Sequence, residues 1–73
     1  ETMRLYPNPA REYIIVEGTH PATLVTLYSM EGMRVYEDET DAEGTLRINL
    51  SAYAEGTYLL RIADQTHRII VQH

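Results

Sequence analysis

Few residues in this chain have the types and spacing that chemistry demands. The only serines are Ser29 and Ser51. Neither stands in the G-x-S-x-G setting that exposes a nucleophile at a strand-to-helix turn, so both read as turn or strand-end hydrogen-bonding groups. His20, His67 and His73 are scattered and match none of the usual zinc spacings. Cysteine is absent, which removes thiol catalysis, disulfides and cysteine-based metal sites. Glu37, Asp38, Glu39, Asp41 and Glu43 form an acidic run that could supply oxygens to calcium. It has no EF-hand pattern, and Gly44 follows the cluster instead of sitting within it. The run reads as a solvated, self-repelling loop, with calcium left open. Paired carboxylates for glycoside hydrolysis need a cleft that fixes their separation. Tyr6, Tyr13, Tyr28, Tyr36, Tyr53 and Tyr58 suit either saccharide stacking or half-buried strand positions. Nothing here assembles a nucleophile–base pair, a phosphate loop or a metal set.

The whole chain is 73 residues, enough for one domain. Its net charge is −5, from 11 acidic and 6 basic residues, and every basic residue is Arg. A nucleic-acid module would want a basic stripe, so that class is excluded. No apolar run approaches the roughly 20 residues of a membrane-spanning helix. The chain begins with Glu1, not Met, and reads as a piece of a longer protein.

The elements that must position any site are strands. No segment shows helical periodicity with caps, while short apolar or alternating runs recur between turn signals. Seven strands are expected: Met3 to Tyr6, Tyr13 to Glu17, Thr23 to Ser29, Met33 to Glu37, Thr45 to Leu50, Thr57 to Ala63 and Thr66 to Gln72. Gly32 suits the φ > 0 position of the tight turn Met30-Glu31-Gly32, and Asp64-Gln65 is the expected last turn. Ser51 to Glu55 reads as a connector with room for one helical turn. Two antiparallel sheets of three and four strands would bury Ile14, Val16, Val25, Leu27, Val35, Leu46, Ile48, Leu50, Tyr58, Leu60, Ile62 and part of Ile69 to Val71. Met33 is expected to point inward beside Val35.

Four stretches occur in a fixed order: Leu5-Tyr6-Pro7-Asn8-Pro9-Ala10, Leu27-Tyr28-Ser29-Met30-Glu31-Gly32, Gly56-Thr57-Tyr58-Leu59-Leu60-Arg61-Ile62 and Arg68-Ile69-Ile70-Val71. Each has a plain structural role. The prolines stiffen an extended entry, Gly56 frees the backbone before a strand, and Tyr58 fills the core with its hydroxyl at the rim. Taken together, the set resembles the type A C-terminal sorting domain of the type IX (Por) secretion system of Bacteroidetes.

The resemblance implies an all-β fold, a seven-stranded antiparallel immunoglobulin-like β-sandwich, covering residues 1–73 as a single C-terminal sorting domain. It implies a secretion signal with no catalytic residues and no cofactor. The cargo passes through the periplasm, is read by the outer-membrane translocon and its shuttle proteins, and reaches the cell surface or the medium. A sortase-like peptidase then usually removes the domain, and a cut is expected upstream of Met3 or beyond the start of this sequence, in the linker to the cargo. Position by position, Tyr6, Pro7, Asn8, Pro9, Gly32, Gly56, Tyr58, Arg68, Ile69, Ile70 and Val71 match the family's recognition positions. The sequence departs from the pattern in two places: Met33 follows Gly32, with Arg34 one place later, and Arg68 is the last basic residue. Docking is expected through an open edge on the last strand or through the terminal carboxylate, and such an edge would also pair with a second copy. The other readings are a retained immunoglobulin-like or carbohydrate-binding module of a surface protein and a non-cleaved docking domain of a machinery component.

Overall fold

Apolar and polar residues alternate along most of the chain, and in the computed structural model, which describes residues 3–73, each alternating run is a strand. The strands are β1 (Arg4–Tyr6), β2 (Tyr13–Glu17), β3 (Leu24–Ser29), β4 (Arg34–Glu39), β5 (Leu46–Asn49), β6 (Gly56–Ile62) and β7 (Gln65–Val71). They form a three-stranded sheet, β1-β2-β5, and a four-stranded sheet, β4-β3-β6-β7, antiparallel throughout. The all-β sandwich read from the sequence is the observed fold.

Between the sheets lie Ala10, Ile14, Val16, Val25, Leu27, Ile48, Leu50, Leu60, Ile62, Ile69 and Val71, all buried. Val35, Leu46 and Tyr58 pack at the rim of this core. Each fully buried aliphatic side chain contributes about 1.5–3 kcal/mol from apolar area removed from water.

The structure corrects four local expectations. Met33 lies outside β4 and is 68% exposed. The register explains this: Leu27 pairs with Tyr36 but Tyr28 pairs with Arg34, so Val35 is an extra residue and the bulge breaks the two-residue alternation. The last turn is Ala63-Asp64, one residue earlier than expected, because Gln65 already pairs with Ile62. Ala63 takes φ +55°, held by its N–H to Leu24 O at 3.2 Å. The connector Ser51 to Glu55 holds turns and no helical turn. The acidic stretch is only partly a loop, since Glu37, Asp38 and Glu39 belong to β4.

That last placement has a physical use. β4 is an edge strand, and three consecutive carboxylates on an exposed edge repel a second copy of the same strand. Behind them, Thr40 is buried and closes a polar knot. Its Oγ1 accepts from Thr23 N at 2.9 Å and lies 3.0 Å from His20 O and 3.0 Å from Thr19 Oγ1. Gly44 lies against the same knot at φ +75°, where an added Cβ would fall 2.0 Å from Thr19 O.

Candidate recognition site

The proline-flanked motif leaves β1 at Tyr6 and crosses to the other sheet. The Tyr6–Pro7 and Asn8–Pro9 bonds are both cis. The chain then runs beside β7 as a short parallel bridge, with Ala10 opposite Val71. In an antiparallel ladder alternate residues turn their N–H and C=O away from the partner strand. On β7 those residues include Thr66, Arg68 and Ile70, with Gln72 just beyond, and the groups from Arg68 O to Gln72 N are occupied. Asn8 Nδ2 donates to Arg68 O (3.2 Å), and Asn8 Oδ1 accepts from Ile70 N (3.1 Å). Ala10 N donates to Ile70 O (2.7 Å), and Ala10 O accepts from Gln72 N (2.8 Å). Asn8 thus uses both ends of its side-chain amide as a surrogate peptide group, which Asn can do and Asp cannot. The open edge expected on β7 is sealed over this stretch.

Beyond β7 the chain is also tied. His73 N donates to Glu55 Oε2 (2.9 Å), and His73 Nε2 lies 2.7 Å from Tyr53 O. Tyr53 and Tyr58 lie with ring centroids 6.1 Å apart, and the Tyr58 hydroxyl donates to Ala54 O at 2.7 Å.

Most of the motif residues meet in one region. Gly56 pairs with Val71 and Tyr58 with Ile69, while Asn8 grips Arg68 and Ile70. The β3–β4 hairpin joins them, since Ser29 pairs with Tyr58 and Gly32 N donates to Ser29 O (2.9 Å). Gly32 takes φ +89°, as its place in the tight turn requires. Gly56 also lies at positive φ, +147°.

Tyr6 stands apart, on the outward face of the small sheet. Its hydroxyl donates to Glu17 Oε1 at 2.6 Å, and Arg4 pairs with the other oxygen of that carboxylate. The hydrogen bond from Tyr6, then the one from Arg4, hold the Glu17 carboxyl below its ordinary range. The same bond to Glu17 raises the Tyr6 phenol. Burial, then Asp38, raises that of Tyr36.

The basic-apolar end divides cleanly by face. Ile69 and Val71 are buried in the core, whereas Arg68 and Ile70 point outward and are exposed. The motif reading placed all four together because it had no register. It also missed Arg61 and Leu59 beside them on β6, although the alternation of Tyr58, Leu60 and Ile62 already turned both outward.

Grooves run beside Pro7, Pro9, Arg11, Glu12 and Tyr13, and between Ser29 to Glu31 and Ala54 to Tyr58. Among the described residues no three His, Asp or Glu side chains converge as metal ligands.

With this geometry in place, comparison with known proteins is direct. The secretion system C-terminal sorting domain profile matches residues 4–72, from the first residue of β1 to just past β7. The chain belongs to that family. Sorting domains of this kind are the C-terminal signals of type IX secretion. One relative is beta-agarase A of Zobellia galactanivorans, 29% identical over 70 residues, which are 93% of this chain and 13% of the agarase. Among solved structures, the fold matches PorZ, described as an essential bacterial surface component of the type IX secretion system of Porphyromonas gingivalis. The match has a TM-score of 0.77 at 19% identity and covers 97% of this chain and 11% of PorZ. The chain therefore spans a small part of both proteins.

Proposed function

We propose that this sorting domain is the C-terminal end of a longer secreted protein, acts without catalysis of its own, and is read as a folded object by the type IX machinery. Its cargo passes through the periplasm, engages the outer-membrane translocon and its shuttle proteins, and is released or attached at the surface by a sortase-like peptidase. The cut falls upstream of Met3, because the sealing segment from Pro7 to Ala10 is part of the folded unit. Tyr6, Pro7, Asn8, Pro9, Gly32, Gly56, Tyr58 and Arg68 to Val71 serve this role mainly by building the object. The observation that carries the reading is the family match across all seven strands, including both segments that close the sandwich.

A retained carbohydrate-binding module has less support. The Tyr13 ring face is taken by Arg47, 4.3 Å from its centroid, and Tyr53 and Tyr58 pack on each other. Neither arrangement leaves a free aromatic platform.

The test is a periplasm-directed fluorescent reporter carrying residues 1–73 at its C-terminus. It is expressed in a bacterium with the type IX system and in an isogenic strain lacking the translocon. Surface or extracellular reporter in the first strain only is the expected result. Periplasmic retention in both, with the domain folded, sinks the proposal.

A further inference from the structure

β7 is closed from Arg68 O to Gln72 N, and the two faces of the sandwich, both open to a partner, differ. On the small sheet, Arg4 and Tyr6 both bind Glu17, and Arg47 lies over Tyr13. Its polar groups are largely satisfied within the chain. On the outward face of β3, β6 and β7 the pairing places Tyr28 beside Leu59, Leu59 beside Arg68, and Thr57 beside Ile70. Arg61 stands two residues from Leu59 on the same face, diagonal to Arg68. Ile70 is 39% exposed. Arg68 makes no ion pair among the described residues, and Arg61 has only a backbone carbonyl, Ala63 O at 3.1 Å. Glu37 and Glu39 of β4 share this outward face one strand away, across β3, where Glu37 is held by Thr26 and Arg34; no acidic residue occupies an outward position of β3, β6 or β7 themselves. In a chain of net charge −5, two arginines without an ion pair around an apolar centre on β6 and β7 are a local positive patch.

We infer that this outward face of β6 and β7, centred on Leu59 and Ile70 and flanked by Arg61 and Arg68, is the docking surface for a protein partner with a matching apolar patch and an acidic rim. The assignment rests on the secretion reading above and replaces docking through the strand edge with docking through the sheet face. Arginine suits such a role, because its planar fork holds carboxylates bidentately and its stem covers apolar surface. Opposed charges at the rim steer the encounter and fix orientation, while the apolar centre supplies the contact area.

The experiment uses the same reporter fusion with R61E/R68E, with R61K/R68K, and with the unaltered domain. All of these side chains are exposed, and the circular dichroism melt of each purified fusion reports whether the fold survives. The expected result is a roughly tenfold or larger fall in surface reporter for R61E/R68E, partial recovery in R61K/R68K, and unchanged melts. Export of R61E/R68E at the unaltered level, while the unaltered fusion reaches the surface, overturns this face and leaves the secretion reading intact. Failure of the unaltered fusion removes both. Should the charge-reversed melt collapse, L59T and I70T replace it, and their normal export would equally overturn the assignment.

Discussion

At the scale of single residues, the glycines separate into two kinds. Gly32 and Gly56 belong to the recognisable motifs, yet an added Cβ at either meets nothing within 4 Å. Gly44 belongs to no motif, and its Cβ would collide with the Thr19 backbone. Gly32→Ala should therefore cost only the left-handed backbone penalty, about 1–2 kcal/mol. Gly44→Ala adds a clash that no flexible side chain can relieve and displaces the Thr19–Thr40 knot, so it should cost at least about 3 kcal/mol. Urea denaturation of the two variants checks the order, and equal midpoints would contradict it. Asn8 teaches a similar lesson. In the sequence it is a polar residue between prolines; in the fold its amide completes a ladder 60 and 62 residues away. No local pattern encodes a contact at that separation, so only the family resemblance marked the residue.

At the scale of elements, both ends of the large sheet are guarded, by different means. β4 carries three adjacent carboxylates, and β7 carries the Asn8–Ala10 strip. Asn8→Leu keeps the approximate shape of the side chain and removes both amide contacts, freeing Ile70 N and Arg68 O. The domain should stay folded with a loss of about 1–2 kcal/mol, because the freed groups remain open to water. It should also self-associate through β7, so light scattering at rising concentration should show a dimer for the variant and a monomer for the parent. A variant that stays monomeric would mean that Ala10 alone guards the edge. Strand existence, the three-plus-four division and most of the core were legible from alternation and turn residues. The misread parts were those where alternation breaks: the bulge at Val35, which turned Met33 outward, and the hairpin at Ala63, where an alanine takes a conformation that composition does not advertise. Arg61 and Leu59 were visible as outward residues, but nothing in their types marked them until the register brought them beside Arg68 and Ile70.

At the scale of the whole molecule, the sandwich measures 30 × 21 × 18 Å, about the thickness of two sheets with their side chains. Such a body offers surfaces more readily than clefts, which suits a signal recognised from outside. Ile69 and Val71 are core residues of β7, and Ala10 packs on the far side of that strand. Deleting residues 68–73 therefore removes part of the core as well as the proposed docking residues Arg68 and Ile70. The truncated chain should lose its cooperative thermal transition, measured by circular dichroism, where the intact chain unfolds in one step. A truncation that still melts cooperatively would place the stabilising core elsewhere.

The contact of Asn8 and Ala10 with β7 bears on how the chain leaves the ribosome. The strip at the front of the domain has no place to bind until the last strand has been made, because its partners lie among the final residues of this chain. A prematurely terminated polypeptide lacks β7 and cannot close. A receptor that reads the closed sandwich thereby distinguishes a domain with β7 made from one without it.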